Sequence, residues 1–259
     1  MLSSQGTHNL AVVVLIGLAA ALAGYVAVWF RHPYYTPGQR LCYFYGYVLA
    51  RTLWRAEIRG RLPVTAGQGA VIVCNHRGPY DPAFIQLAAG RVVHWLVARE
   101  YYTHPAMAWF FRVVQSIPVS RAGIDTAATR MAIRYAQAGG LVGLFPEGRI
   151  NTGTALLLPG RPGAALIALR TRVPVIPCYV SGSPNGANLL SAMFTPARAR
   201  LIVGQPIDIA RFYGRERDRG ALEELTKLLL VEIARLAGCN DLQPQLAGRR
   251  WAAAPDASD

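Results

Sequence analysis

A histidine and an aspartate that can act together in catalysis are separated by four residues in the segment NHRGPYD, residues 75–81. The segment directly follows AVIVC, residues 70–74, an apolar run typical of a buried strand. Across the Gly-Pro turn, the carboxylate of Asp81 can approach the imidazole of His76, hold one tautomer and stabilise the protonated form. This spacing indicates a general base. Taken alone, however, the spacing favours an aspartate that only caps the following helix, PAFIQLAA, because such spacings are common and many helices need a cap.

A second polar segment, FPEGRI at residues 145–150, follows the apolar run LVGLF. Open α/β sheets bind ligands at the carboxyl ends of their strands, where this segment begins. Gly148 lets the backbone approach a ligand, and Arg149 offers a two-pronged donor for a phosphate. Glu147 can orient that arginine or a substrate hydroxyl. The alternative is a plain turn that ends the strand.

Two further segments carry chemistry only in combination with the first two. IPVSR, residues 117–121, ends a strand pattern with Arg121, which is either a second phosphate ligand or a solvated side chain. VPVIP, residues 173–177, contains two prolines that favour an edge strand or the wall of an apolar groove.

The composition narrows the class of protein. The 259 residues are 53% hydrophobic and 16% charged, too apolar for a disordered chain and unusual for a soluble enzyme. The formal charge of +13 is compatible with nucleic acid, an anionic bilayer or phosphorylated substrates as partners. Because no nucleic-acid-binding motif is present, we expect no nucleic acid. The four cysteines are far apart with no C-x-x-C pair, so we predict reduced thiols and no metal site.

The N-terminal part, residues 1–55, is predicted to anchor the protein. Residues 10–30 carry no charged side chain and are long enough for a transmembrane helix. Residues 37–55 mix aromatic residues with arginines, which suits an amphipathic helix in the headgroup layer, although a core helix fits the periodicity equally well. Since no Lys or Arg precedes Arg31, the positive-inside rule places the rest of the chain in the cytoplasm, at the inner membrane.

Alternating strand and helix patterns beyond residue 56 predict a single α/β domain with a mostly parallel central sheet, over residues 56–240. Residues 241–259 are predicted to be a flexible tail. The predicted strands are 70–74, 92–98, 116–120, 141–145, 173–180 and 199–204. The predicted helices are 81–89, 105–114, 124–138, 162–171 and 217–238.

Taken in order, NHRGPYD, IPVSR, FPEGR and VPVIP resemble the four motifs of the glycerophospholipid acyltransferase family, whose best-known members are 1-acylglycerol-3-phosphate acyltransferases. The resemblance covers roughly residues 56 to 205. It implies that His76 and Asp81 are catalytic and that Pro174 lies on the acyl-donor side. The residues that it implies for substrate binding are Asn75, Arg121, Glu147, Gly148 and Arg149.

The implied activity is a membrane-bound transfer of a fatty acyl group from an acyl thioester to lysophosphatidate, giving phosphatidate. The thioester is acyl-coenzyme A or acyl carrier protein, and no cofactor is expected. The third motif usually has Thr between Gly and Arg, whereas Arg149 directly follows Gly148 here. That variant is similar to domains that reacylate lysophospholipids such as lysophosphatidylethanolamine. The alternatives are therefore that reaction or a catalytically silent lipid-binding relative.

Overall fold

A computed structural model describes residues 4–31, 33–120 and 125–248. The helices are α1 Ser4–Phe30, α2 Pro37–Thr52, α3 Asp81–Ala89, α4 Arg99–Thr103, α5 Pro105–Val113, α6 Thr126–Gln137, α7 Gly163–Thr171, α8 Leu189–Phe194 and α9 Arg219–Leu236. The strands are β1 Glu57–Arg59, β2 Ala70–Cys74, β3 Val93–Ala98, β4 Ile117–Val119, β5 Leu141–Leu144, β6 Val175–Ser181 and β7 Arg200–Val203.

The strands form one seven-stranded sheet in the order β1-β7-β6-β2-β5-β3-β4. Every neighbouring pair is parallel except β6 with β7, which is antiparallel. The prediction of an α/β domain with a mostly parallel sheet is therefore confirmed. Strand β2 lies in the middle and is buried along its whole length.

Helices cover both faces of the sheet because alternate residues of a strand point to opposite sides. Val71 and Val73 of β2 pack in a core with α6, α7 and α9. Ile72 and Cys74 pack on the other face with α2 and α3. With both faces covered, the polar residues that follow β2 are left at the carboxyl edge of the sheet.

The edge position suggested by the two prolines is wrong, because β6 lies inside the sheet between β7 and β2. Pairing with β7 begins only at Cys178, opposite Val203. The Pro177 carbonyl accepts a hydrogen bond of 2.8 Å from Gly204 N, just beyond the end of β7. Pro177 has no N–H to donate, but it lies beyond the end of the β7 ladder, so no hydrogen bond between β6 and β7 is lost.

Residues 37–55 were predicted to form either an amphipathic helix or a core helix. Helix α2 has one buried side and one side with exposed apolar residues. Ala50 is buried in the core. The opposite side exposes large apolar side chains, namely Leu41, Phe44, Tyr45, Tyr47 and Val48. The helix ends at Thr52, and Trp54 then enters the core with 1% of its surface exposed.

Helix α1 covers the residues that we predicted to cross the membrane. Its described side chains are exposed, including Leu15, Leu18 and Leu22. Over the described parts of the chain, however, no helix has the length and apolar character that a membrane crossing requires. The predicted transmembrane helix over 10–30 is therefore not supported.

The predicted domain limits at 55/56 and 240/241 stay predictions. Within the predicted tail, Gln245 and Ala247 exchange backbone hydrogen bonds with Gly160, which holds this part of the tail to the domain. Residues 249–259 lie outside the described residues.

Candidate active site

His76 and Asp81 meet at the carboxyl end of β2. The Nδ1 atom of His76 lies 2.9 Å from Oδ2 of Asp81. The Asp81 side chain is fully buried, whereas 16% of the His76 side chain is exposed. With Nδ1 directed at the carboxylate, Nε2 is the nitrogen that can take a proton from a bound molecule.

The Asp81 carboxylate is held by three further donors. Its Oδ2 accepts hydrogen bonds from the backbone N–H groups of Arg77, at 2.6 Å, and Gly78, at 2.8 Å. Its Oδ1 accepts a short hydrogen bond from the hydroxyl of Ser183, which follows β6. Asp81 is the first residue of α3, and the preceding residue, Tyr80, makes no side-chain cap. The carboxylate thus serves the histidine loop and not the helix end.

Asn75 lies behind this pair, fully buried. Its Nδ2 donates to the carbonyl of Val180 at 2.8 Å, and its Oδ1 accepts from the N–H of Val180 at 2.7 Å. The side chain therefore continues the pairing of β2 with β6 beyond the last strand residue. This placement favours a positioning role for Asn75 over the contact with substrate that we expected.

Glu147 of FPEGR links this motif to NHRGPYD by hydrogen bonds. Its Oε1 accepts from the N–H of His76 at 2.7 Å, and its Oε2 accepts from the N–H of Leu158 at 2.7 Å. The His76 carbonyl in turn accepts from the N–H of Asn151 at 2.7 Å. Only 2% of Glu147 is exposed, and this burial raises the pKa of its carboxyl to about 7.

Gly148 and Arg149 form the exposed side of the same loop. Gly148 has a φ of 71°, which favours glycine, and its N–H closes a tight turn onto the carbonyl of Phe145 at 2.9 Å. Arg149 is half-buried and lies close enough to Arg161 to contribute, after burial, to lowering the pKa of that guanidinium. Arg121, the other predicted phosphate ligand, lies outside the described residues.

A stack of three rings, which was not predicted from the sequence, orients the imidazole. The rings of His76 and Phe145 lie face to face, with centroids 3.8 Å apart and planes 5° apart. Trp95 of β3 stacks on the other side of Phe145 at 4.8 Å. The first residue of FPEGR is the only signal in the sequence that points to this contact. Ser183 was missed as well, because the pattern YVSGS carries no chemical signature.

Cys74 precedes Asn75 but is unsuited to act as a nucleophile. It is fully buried, and burial, followed by the neighbouring Cys178, raises the pKa of its thiol well above the ordinary value.

The family model described as Acyltransferase matches residues 55–181. A 1-acyl-sn-glycerol-3-phosphate acyltransferase of Bacillus subtilis is 28% identical over 168 residues, which cover 62% of this chain and 80% of the relative. An uncharacterised protein of Mycobacterium leprae is 31% identical over 241 residues, covering 77% of this chain and 62% of that protein.

The same fold occurs in the crystal structure of a 1-acyl-sn-glycerophosphate acyltransferase from Thermotoga maritima. The two superpose with a TM-score of 0.56 at 21% sequence identity, over 76% of this chain and 81% of the other. At this identity the likeness concerns the fold alone.

Proposed function

Because the chain belongs to the glycerophospholipid acyltransferase family, we propose that it moves a fatty acyl group from an acyl thioester to the free hydroxyl of lysophosphatidate, giving phosphatidate. The observation that carries this proposal is the 2.9 Å contact between His76 and the buried Asp81. A lipid-binding relative without activity would have no use for a carboxylate held by three other donors against a histidine.

In the proposed reaction, Nε2 of His76 takes the proton of the acceptor hydroxyl while the hydroxyl oxygen attacks the thioester carbonyl carbon. A C–O bond forms, and the tetrahedral intermediate collapses as the C–S bond breaks. The departing thiolate takes the proton back from the imidazolium. Asp81 stabilises the imidazolium between these two proton transfers. Cys74 takes no part.

The acceptor phosphate is assigned to the loop after β5. Arg149 offers a guanidinium fork there, and the turn at Gly148 leaves the backbone open. Glu147, with both oxygens engaged by backbone N–H groups, holds this loop beside His76. Arg121 stays a proposed second phosphate ligand.

We further propose that the protein works at an anionic membrane surface, on the cytoplasmic side of the inner membrane. The exposed apolar side chains of α1 and α2 support this, as does the net positive charge. Both lipid substrates would then reach His76 from the bilayer.

The test is an acyl-transfer assay in which lysophosphatidate and lysophosphatidylethanolamine compete for one acyl thioester. We expect wild type to prefer lysophosphatidate, and His76→Ala to lose transfer while His104→Ala, at an exposed histidine, keeps it. Arg149→Ala should cost about 1.5–3 kcal/mol with the phosphomonoester and less with the phosphodiester. Arg217→Ala, at an exposed arginine, is the matched control.

The second candidate is reacylation of a lysophospholipid such as lysophosphatidylethanolamine. It is favoured by the direct succession of Gly148 and Arg149, without the usual Thr. Equal or better use of the diester by wild type would select it over the lysophosphatidate reaction.

A further inference from the structure

A basic cleft of about 550 Å³ lies at the end of β6, the strand next to β2 in the sheet. It lies among the end of β6, the start of β7, and β1. Its lining includes Arg55, Glu57, Ser181, Gly182, Arg198 and Arg200. Its volume is in the range of small-molecule sites.

The cleft has an excess of positive charge. Glu57, its one acidic lining residue, is already bound by two arginines, Arg59 at 2.7 Å and Arg200 at 3.0 Å. Arg55 and Arg198 are exposed, and within the described ranges no carboxylate forms an ion pair with either of them. Two guanidinium groups are therefore available for an anion. Guanidinium groups suit phosphate because their donors match its oxygens.

The backbone around these arginines is built to hold them close. Arg55 has a φ of 41°, in the left-handed region that a residue with a side chain rarely adopts. Gly182 has a φ of 64°, and a Cβ there would collide with the carbonyl oxygen of Arg198. Residues in this backbone region cluster at functional sites, so the position of Arg55 is consistent with a role for its side chain.

The cleft is joined to the catalytic pair through the end of β6. Ser181 and Gly182 line it, and the next residue, Ser183, donates to Asp81. In the sheet order, the Arg149 loop follows β5 on one side of β2, whereas the cleft involves β6, β7 and β1 on the other. At strand spacings of about 4.8 Å, the cleft begins roughly 5 Å and ends roughly 15 Å from the strand that precedes His76.

We propose that this cleft binds the nucleotide phosphates of coenzyme A in the acyl thioester donor. The inference rests on the proposed function, because it assigns the two substrates to opposite sides of His76. The acceptor phosphate lies by Arg149, and the donor phosphates lie by Arg55 and Arg198. The flexible pantetheine arm spans the distance between the cleft and the thioester.

The experiment measures the affinity of coenzyme A for the full chain in detergent by calorimetry, together with the KM for lysophosphatidate. We expect Arg198→Gln and Arg55→Gly each to weaken coenzyme A binding roughly tenfold, as the loss of a charged contact does. Arg198→Lys should recover part of the affinity. Arg217→Gln, which removes an exposed arginine elsewhere, should change it by less than about twofold.

Two features separate a ligand contact from a folding defect. Arg55→Gly suits the backbone at that position, so its melting temperature should be equal to or above that of wild type while its affinity falls. Pantetheine, which lacks the nucleotide phosphates, should bind wild type and both variants alike.

Unchanged coenzyme A affinity in Arg198→Gln and Arg55→Gly would overturn the inference. So would a higher KM for lysophosphatidate with coenzyme A binding intact, since the cleft would then hold the acceptor headgroup. If wild type transfers acyl groups but binds coenzyme A independently of these arginines, only the cleft assignment fails. Arginine-dependent coenzyme A binding without any transfer would support the cleft and refute the proposed function.

Discussion

Two buried carboxylates flank His76, and they do different things. Asp81 contacts the side chain of the histidine, through Nδ1, and accepts hydrogen bonds from three other groups. Glu147 contacts the backbone of the same histidine, through its N–H, and among the described residues it accepts one other hydrogen bond, from Leu158. Both are almost completely shielded from solvent, with 0% and 2% of their surface exposed.

The difference shows that two carboxylates with similar burial can contact different parts of the same histidine. At Asp81 the donors fix the direction in which the carboxylate meets the imidazole, so in the proposed reaction it would stabilise the imidazolium. Glu147 accepts hydrogen bonds from the backbone N–H groups of His76 and Leu158. It thereby fixes the position of the loop that carries Arg149. In the proposed mechanism, Asp81 acts on the imidazole and Glu147 holds the loop in place.

Replacing Asp81 tests its proposed role beside His76 and should have the largest effect on the transfer rate. In Asp81→Asn the neutral amide no longer offsets the imidazolium charge. Its NH2 group also replaces an oxygen that accepts hydrogen bonds, so it faces donors. We expect transfer to fall by about 10³- to 10⁴-fold, equivalent to roughly 4–5 kcal/mol. Single-turnover rates at saturating substrate measure this, and a variant that keeps a tenth of wild-type turnover would remove Asp81 from the mechanism.

The pH dependence of the unfolding free energy tests the role of Glu147. The pKa of Glu147 is raised from 4.5 to about 7 by burial, so the stability it contributes is fully present below about pH 4.5 and is lost as the pH rises through 7. Relative to Glu147→Gln, the unfolding free energy of wild type should fall by about 3 kcal/mol between pH 4.5 and 8. Denaturant titrations of both proteins across this range measure the difference, and a constant difference would contradict the raised pKa.

Replacing Ser183 tests how much one donor to Asp81 contributes. Ser183→Ala leaves the three contacts of Oδ2 in place and deletes only the hydrogen bond to Oδ1. We expect turnover to fall by about tenfold, or roughly 1.4 kcal/mol, with little change in the KM of either substrate. Ser183→Thr retains the hydroxyl and should restore most of the rate. Loss of stability without loss of turnover would make Ser183 merely structural.

Cys74 should give the smallest effect. Its thiol lies near both carboxylates, which add to the effects of burial and Cys178 in raising its pKa. Cys74→Ala should therefore keep transfer within about threefold of wild type, since it removes a small buried side chain and no reacting group. Cys178→Ala, at the neighbouring buried position, is the matched control. A folded but inactive Cys74→Ala would point to a covalent intermediate.

Much of the scaffold could be predicted because its elements end at strong local signals. Strand β2 and helix α3 have the predicted limits, 70–74 and 81–89. The strand stops where polar Asn75 follows an apolar run, and the helix stops at Gly90, which has a φ of 66°. Strand β1, by contrast, has only three residues, too few for a periodic pattern. The reversed direction of β7 depends on its pairing with β6, which no local pattern reveals.

The site divides in the same way. His76 and Asp81 lie close in sequence, so their spacing predicted their contact. Ser183 lies 102 residues from Asp81, and its hydroxyl has no motif that distinguishes it from other serines. The motif predicts a substrate contact for Asn75, whereas in the structure its amide pairs with the backbone of Val180. Contacts made across the sheet depend on packing that spacing does not encode.

The pairing of Asn75 with Val180 also sets an order of events during synthesis. The two residues are 105 positions apart, so this contact can close only after the long stretch between them has been synthesised. A nascent chain emerges from its N-terminus, and it exposes His76 well before β6 exists. Until β6 docks, neither Asn75 nor Asp81 has its full set of partners. The pair of His76 and Asp81 that the proposed function requires is therefore completed only after the sheet has closed, well after the N-terminal helices have been synthesised.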